Sequence, residues 1–383
     1  MLRKVEDRLS ALPDDLLHAV LSRLKARQAV QTCVLSTRWR YLWRSVPRLD
    51  IDQQEFRPAG DDYSIREVQS FKNFVHILLH RHDVAHLEEF RLDVSYAIRK
   101  YADSWVRHGI GQDDVWPCRL KRLHLRNVIL DDYFARHVRF RCPSLQEMEL
   151  TNCTNLLSEA SVITPSSLKK LVVNDYLGGT PFGLILEAPA LASLCLAGYV
   201  DFIVENETPL TLPSLVDASI YMHEIKMLND GIFLREDRTG NQMQLLRKLA
   251  NVTTLELSGL GVFQVHDDCL GLNFPQFTNL RTLSLDHCDL CDNFLLLKHF
   301  LRNSPNLMKL VLYCCKLSDP EPREGVLKNI ASYPQDMGDV IYENLRLTEI
   351  IYRFDDVHLL VEFLLGLSRN LPNNKVELSG VDY

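Results

Sequence analysis

The chain has 383 residues, is 46% hydrophobic and 24% charged, and carries a formal net charge of −7. That composition supports a large buried core and excludes disorder along most of the length. No run approaches the roughly 18 apolar residues needed to cross a bilayer, and the start MLRKVEDRLS lacks the apolar segment of a secretory signal.

Residues 1–50 hold ten Lys/Arg against five Asp/Glu, so the rest of the chain carries −12. Such asymmetry fits two parts with different partners, although charge alone favours a solvated basic helix face. Pro13 followed by Asp14 and Asp15 predicts a helix start, because proline suits the first helical position and early carboxylates face the positive end of the dipole. Leu16, Leu17, Val20, Leu21 and Leu24 then share one helical face. Ala29, Val30, Cys33 and Val34 form a second apolar set. Trp39, Leu42 and Trp43, interleaved with Arg38, Arg40 and Arg44, form a third that Pro47 ends. A unit of about fifty residues buries little surface. Its excess apolar side chains are expected against the rest of the chain, a partner, or both. The tryptophans among arginines also allow a nucleic-acid reading, but their helical core spacing places the rings in a core.

The stretch from Asp7 to Asp52 resembles an F-box, particularly the plant version. It carries the L-P-D-D-L-L opening, the C-V-L-S-T-R-W-R-Y-L-W core and the V-P-x-L-D-I-D exit in order. The resemblance implies a three-helix module that binds a Skp-type adaptor and, through it, a cullin/RING scaffold. Carried over by position, Leu12, Pro13, Leu16, Leu17, Leu21 and Leu24 supply adaptor contacts. Val34, Trp39 and Leu42 fill the junction between helices and adaptor. The basic residues would suit the acidic adaptor of that family.

Residues 51–117 are expected to form a linking helix and a first irregular repeat, the latter in HLEEFRLDV from 86. His76, His80, His82 and His86 lie close together, and His76 and His80 have the i, i+4 spacing of a helical metal pair. No carboxylate ligand stands between them, so a polar helix face is expected instead. Gly109 to Gly111 reads G-I-G without the remainder of a dinucleotide fingerprint.

From 118 to 318 the form L-x-x-L-x-L recurs. Its first leucine-type positions are 120, 145, 168, 191, 215, 252, 280 and 307, separated by 25, 23, 23, 24, 37, 28 and 27 residues. This is the core of a leucine-rich repeat, in which a short strand buries alternate side chains. The interval of 37 implies an insertion near MLNDGIFLREDRTGN. Helical segments such as MQLLRKLAN and FLLLKHFLRNSPN separate the strands. The expected fold is therefore α/β: a small three-helix F-box, then a curved leucine-rich-repeat solenoid with a parallel sheet on its concave face. Residues 319–383 are expected to hold an insertion and a C-terminal repeat or cap around LRLTEIIYRF and KVELSG, weakly similar to the FBD segment of some F-box proteins.

Ten cysteines spread through a long chain are expected to be reduced thiols. Cys288 and Cys291 make a lone C-x-x-C, weak evidence for metal where structural zinc wants four ligands. Cys153, Cys288 and Cys315 each stand eight residues after a repeat's first leucine, where a small buried donor bonds the turning backbone. Residues between the leucines face the concave side. Arg122, His124, Arg126, Glu147, Glu149, Glu256, Asp286, Lys309 and Tyr313 are the candidate target contacts, each of them an ordinary solvated side chain if taken singly.

The chain has no P-loop, no G-x-S-x-G and no convincing Cys–His pair. The pairing of F-box and repeats resembles the plant class of ubiquitin-ligase substrate receptors, implying a non-catalytic adaptor whose repeats hold a target protein. Neither cofactor, metal, nucleic acid nor membrane is expected, and the place of action is cytoplasmic or nuclear. The alternative is a leucine-rich interaction scaffold unconnected with ubiquitination, with the helices only capping the solenoid.

Overall fold

A helix begins where its first amides are left unpaired, and Pro13 answers that need with its carbonyl. It accepts the amides of Leu16 and Leu17 at 3.1 and 3.2 Å and starts α1 (Asp14–Leu21) from the capping position, one residue earlier than expected. The computed structural model of the chain describes residues 9, 11–57, 65–110, 118–155, 165–175, 188–198, 212–222, 245–259, 274–290, 294–316, 343–352 and 373–381. α2 (Ala26–Gln31) and α3 (Trp39–Leu42) follow, joined by short 3-10 turns. The described residues fall into two compact units, residues 1–191 and 192–383.

In the first unit the three helices lead directly into β1 (Arg48–Asp52). After it come α4 (Ile65–Arg81), β2 (Glu89–Asp93), α5 (Arg99–Gly109) and β3 (Arg122–Arg126). Then follow β4 (Ile129–Leu130), α6 (Asp132–Arg141), β5 (Glu147–Thr151), β6 (Thr154–Asn155) and β7 (Lys170–Asp175). β1, β2, β3, β5 and β7 pair in parallel and in that order, and β4 pairs with β6 beside them. Leu49, Ile51, Phe90, Leu92, Leu123, Leu125, Met148 and Leu150 point to one side of this sheet, where helix residues such as Phe71, Val75, Trp105, Val106 and Phe134 are buried with them. Gly109 explains part of the G-I-G: a Cβ there would lie 2.8 Å from Phe90 Cζ, so only glycine lets α5 close on the strand. Regular strand–helix repeats thus start at Arg48, inside the helical module's exit, rather than after residue 51.

The second unit contains β8 (Ser193–Gly198), β9 (Asp217–Met222), β10 (Thr254–Ser258) and β11 (Thr282–Asp286). It continues with α7 (Leu295–Asn303), β12 (Lys309–Tyr313), β13 (Leu347–Tyr352) and β14 (Lys375–Gly380). These strands are also parallel, each in register with the next. Phe274, Phe277 and Phe300 pack behind them, with Phe274 edge-on to Phe300 at 5.1 Å. β14 has all six residues exposed. The insertion expected near 227–241, Cys291 and most of the stretch between LRLTEIIYRF and KVELSG lie outside the described residues.

The repeats share a backbone device that the leucine pattern does not display. The amides at the start of each strand converge on one carbonyl of the repeat before: Lys121 and Arg122 on Glu88, Gln146 and Glu147 on Lys121, Thr253 and Thr254 on Val216, Met308 and Lys309 on Arg281, at 2.7–3.1 Å. At the far end, seven residues after the first leucine, the chain turns with positive φ. Asn127 (56°), Asn152 (51°), His287 (48°) and Cys314 (48°) occupy that position, as do Gly198 and Gly259. The amides of Asn127, Asn152, Gly259, His287 and Cys314 donate to the next repeat. One residue on, the thiols of Cys153, Cys288 and Cys315 donate to the carbonyls of Leu125, Leu257 and Leu285 at 3.5, 3.4 and 3.3 Å, the role expected of them.

Because left-handed backbone costs a β-branched residue about 1–2 kcal/mol, Cys314→Val should lower the stability of the second unit by about that amount, while Cys314→Gly should not. Urea titration of the three proteins measures the difference; equal loss in both variants would remove the backbone explanation.

Candidate functional site

The helical module closes over Leu17 and Leu21 of α1, Ala26 and Ala29 of α2, and Trp39, Leu42 and Trp43. Two of its polar contacts are His18 to Ser45 Oγ at 3.1 Å and the indole of Trp43 to the Arg40 carbonyl at 3.2 Å. Of the nine residues assigned to an adaptor, Leu17, Leu21, Trp39 and Leu42 therefore lie inside the chain and present no side chain to a partner. Pro13, Leu16 and Val34 are exposed, and Leu12 and Leu24 are half-buried. Two further residues join the exposed set: Leu35 at 62% and Val20 at 44%, beside Leu16 at 52% and Val34 at 83%. Periodicity shows which side chains share a helix face but not how much of that face another element covers, which is why both were missed. So many large apolar side chains left open on so small a module form an apolar surface with no covering element among the described residues.

The basic residues of the module are largely spent within the chain. Lys25 pairs with Asp52, and Arg27 lies over the Phe56 ring at 4.4 Å while donating to the Glu55 carbonyl. Arg48 donates to the Ser22 carbonyl at 2.9 Å and to Asp50 at 2.8 Å, and Arg38 meets Asp14 at 2.5 Å. The first two pairs and Arg48 fasten the helices to β1 and the turn after it. Arg23 and Arg40 stay exposed. Trp39 and Trp43, at 4% and 7% exposure, are unavailable for stacking on bases.

His82 completes this joint. It was expected on a polar helix face, but it is buried, with Nε2 donating to the Val46 carbonyl at 3.0 Å. That partner selects the Nε2–H tautomer and leaves Nδ1 without a hydrogen bond among the described residues. Burial pushes its pKa down to about 4, against the opposing pull of the Val46 carbonyl and Asp83.

Parallel register sets the open face of the first unit. One row of solvent-side positions runs Arg48, Glu89, Arg122, Glu147 and Lys170; the next runs Asp50, Arg91, His124 and Glu149. Glu89 is 5% exposed, accepts hydrogen bonds from Arg91 Nε at 2.6 Å and Arg122 Nε at 2.9 Å, and forms an ion pair with Arg48, whose Nε lies 3.0 Å away. Burial would raise its pKa, but the hydrogen bonds from Arg91 and Arg122 and the charge of Arg48 hold it below the ordinary glutamate value. His124 meets Glu149 at 2.9 Å, and Arg126 approaches Asp93 at 3.6 Å. Burial raises the pKa of Asp93 despite Arg126. All five candidates of this unit (Arg122, His124, Arg126, Glu147, Glu149) sit on this face. Glu89 and Arg91, which knit it together, lie in the repeat that reads weakest in sequence.

The second unit's open face is less charged. Glu256 accepts from Ser219 at 3.1 Å. Burial, then the Glu256 carboxylate, push the Tyr221 phenol up. Asp286 pairs with His287 at 2.6 Å, the His287 ring lies 5.8 Å from that of Tyr313, and Lys309 pairs with Glu349 at 2.9 Å. Glu256, Asp286, Lys309 and Tyr313 thus occupy strand positions on the same side.

Among the described residues, no three His, Cys, Asp or Glu side chains come together as a metal site, and no helix is long and apolar enough to cross a membrane. The described cysteines are free thiols.

Residues 9–50 match the F-box domain family. The chain is 30% identical over 363 residues to the MEIOTIC F-BOX protein MOF of Oryza sativa subsp. japonica, covering 83% of this chain and 74% of that one. An F-box/LRR-repeat protein of Arabidopsis thaliana is 26% identical over 353 residues, covering 82% and 73%. A putative F-box/FBD/LRR-repeat protein of Arabidopsis thaliana is 28% identical over 269 residues, covering 56% and 57%.

The His82 environment makes stability acid-sensitive. Its folded pKa of about 4 lies below the ordinary 6.5, so the unfolded chain binds the extra proton first as pH falls. The stabilisation is complete above pH 6.5 and is lost as pH drops toward 4, about 3 kcal/mol in all. His82→Gln, which keeps a donor for the Val46 carbonyl, should flatten this part of the profile; thermal unfolding across that pH range measures it.

Proposed function

The chain belongs to the F-box/leucine-rich-repeat proteins, and on that premise we propose that it is the substrate-recognition subunit of a Skp–cullin–F-box type ubiquitin ligase. Its helical module docks a Skp-type adaptor, and the open faces of its strands hold a target protein. The observation that supports docking is the exposed apolar set Pro13, Leu16, Val20, Val34 and Leu35 on a module whose core is already closed by Leu17, Leu21, Trp39 and Leu42. Those four act indirectly, by fixing the helices that carry the surface. The half-buried Leu12 and Leu24 border it.

The protein supplies no reacting group in this reading. Its contribution is proximity: a target lysine is held near a ubiquitin-charged enzyme, turning an encounter in solution into one within a complex. On this reading the protein works in the cytosol or nucleus. The polar character of the first unit's open face suits a partner that exchanges, because rim-like ion pairs add more specificity than affinity.

One observation favours the alternative of a scaffold whose helices merely cap the repeats. α2 packs on β1, and the Lys25–Asp52 pair covers the outer end of that strand. Capping leaves the apolar surface on α1 and the Val34–Leu35 turn unexplained, and adaptor docking accounts for it.

The double change Leu12→Ala/Pro13→Ala and, separately, Leu16→Asp and Val34→Asp should each weaken binding to a Skp-type adaptor by about 2 kcal/mol or more, the scale of central interface contacts. The helical signal in circular dichroism should stay constant. Co-purification and titration calorimetry read the result, and unaltered affinity in all three would leave the scaffold as the better account.

A further inference from the structure

Cys118 and Cys142 stand at opposite ends of one repeat in sequence and beside each other in space. Cys142 caps the C-terminal end of α6, where its carbonyl accepts the Leu145 amide at 3.1 Å. The carbonyl just before it, that of Arg141, takes the amide of Cys118 at 2.9 Å as the chain enters β3. One hydrogen bond between these backbones holds the two Cα atoms no more than about 7 Å apart. A disulfide spans roughly 4.4–6.8 Å between Cα atoms, so little backbone movement separates this pair from a bond. The side chains already face each other, since the Cys142 thiol is the hydrogen-bond partner of Cys118.

Environment divides the two thiols. Cys142 is fully buried, whereas Cys118 is partly exposed and accepts the Leu120 amide on Sγ at 3.4 Å. The hydrogen bond from Cys142 holds the Cys118 pKa below the ordinary thiol value, against burial and with help from the Leu120 amide. The same contact, together with burial, pushes the Cys142 thiol well up. Cys118 is therefore the accessible nucleophile and Cys142 the shielded thiol that keeps its proton. The repeat cysteines Cys153, Cys288 and Cys315 have no such division of labour, because each thiol donates to a main-chain carbonyl.

We propose that Cys118 and Cys142 form a reversible redox modification site whose oxidant is a peroxide. The Cys118 sulfur attacks one oxygen of hydrogen peroxide. The O–O bond breaks, hydroxide leaves, and Cys118 becomes a sulfenic acid. The Cys142 sulfur then displaces the sulfenic hydroxyl, forming the S–S bond, and its proton leaves with that oxygen as water. Two thiols lose two electrons and the peroxide gains them, giving one disulfide and two waters. A dithiol reverses the step by exchange. The cross-link ties the end of α6 back to the entrance of β3 and closes residues 118–142 on themselves. In reducing surroundings such a bond is transient, the behaviour of a sensor and not of a permanent staple. The proposal needs neither adaptor nor target, so it stands or falls apart from the ubiquitin-ligase reading.

Peptide mapping of the full chain provides the test. The reduced protein is treated with hydrogen peroxide in equimolar dose, alkylated, and digested with trypsin and a Glu-specific protease. The second enzyme cuts at Glu147 and Glu149 and so parts Cys142 from Cys153. The first disulfide to form should join Cys118 to Cys142, and dithiothreitol should remove it. Cys33, also partly exposed, is the internal reference, and Cys118 should be oxidised several-fold faster. Cys142→Ser should halt the reaction at a Cys118 sulfenic acid that dimedone captures, and Cys118→Ser should leave Cys142 reduced at the same dose. The map of the unaltered chain needs no substitution, so it decides the matter whether or not a variant folds. A first disulfide between any other pair, equal oxidation of Cys33 and Cys118, or oxidation of Cys142 at the parent's rate in the Cys118→Ser protein would overturn the proposal.

Discussion

Everything in this chain depends on satisfying the leading amides of parallel strands. A parallel strand brings its own side chains to the core but leaves its backbone groups to its neighbours, and an unpaired row is both costly and adhesive. Within each unit most described repeats pass one carbonyl to two amides of the next, and in the first unit the series starts at Pro47, whose carbonyl takes the amides of Glu88 and Glu89 at 2.7 and 3.0 Å. Pro47 has no amide to satisfy in return. The last residue of the helical module before the strand is thus the first rung of the repeats, and the two parts cannot be drawn as separate bodies. The buried leucine ladder follows from that pairing, because register aligns Leu49, Phe90, Leu123 and Met148 on one side and drives the intervening side chains outward.

The alternating outward positions then face an electrostatic constraint. Like charges directly opposite one another on adjacent strands destabilise a sheet. The row Arg48, Glu89, Arg122, Glu147, Lys170 changes sign at every step. Such alternation helps hold register in a unit whose repeats otherwise look alike. Within it Glu89 alone is sunk, at 7% side-chain exposure, while Arg91 and Arg122 around it stay in water. In the second unit the same rows set Asp217, Glu256 and Lys309 beside uncharged Ser193, Ser219, Thr254, Thr282 and Ser284, so between β8 and β12 no two like charges stand directly opposite.

Much of this was legible in the residues. L-x-x-L-x-L located β3, β5 and β7 to β12 because a buried alternation has a period that neither turn chemistry nor length can imitate. The weak units at 86 and 345 are β2 and β13, weak in sequence because Phe90 and Thr348 stand where the pattern has its second leucine. The cysteines at the eighth position were readable because the thiol has a backbone acceptor to reach. The left-handed residue before it was not, because Asn, His, Cys and Gly share no hydropathy, only tolerance of positive φ. Burial within the F-box was half legible. Leu16 and Leu17 both belong to the apolar face of α1, yet one is 52% exposed and the other 0%, a difference decided by what Trp39 and Leu42 cover. His82 lay beyond periodicity altogether: its neighbours His76 and His80 are exposed, and only the approach of Val46 from the module makes it interior.

The joint between module and repeats is where structure meets mechanism. A subunit that works by proximity must hold its two partners at a reproducible distance and angle, so a flexible linker would dilute the effective concentration it creates. No linker separates β1 from α3. Asp83 donates its amide to the Arg44 carbonyl at 2.7 Å, His82 reaches Val46, Arg48 reaches Ser22, and Lys25 and Arg27 fasten α2 to the turn after β1. These contacts leave the apolar surface of α1 free, and of them only Arg48, which also pairs with Glu89, reaches the arginines of β2 and β3. In the proposed ligase role, loosening them would free the docking module to move against the repeats, and the loss would appear in ubiquitin transfer rather than in adaptor affinity. His82 belongs to that joint: buried between α4 and the module, it ties the end of the helix to the Val46 carbonyl.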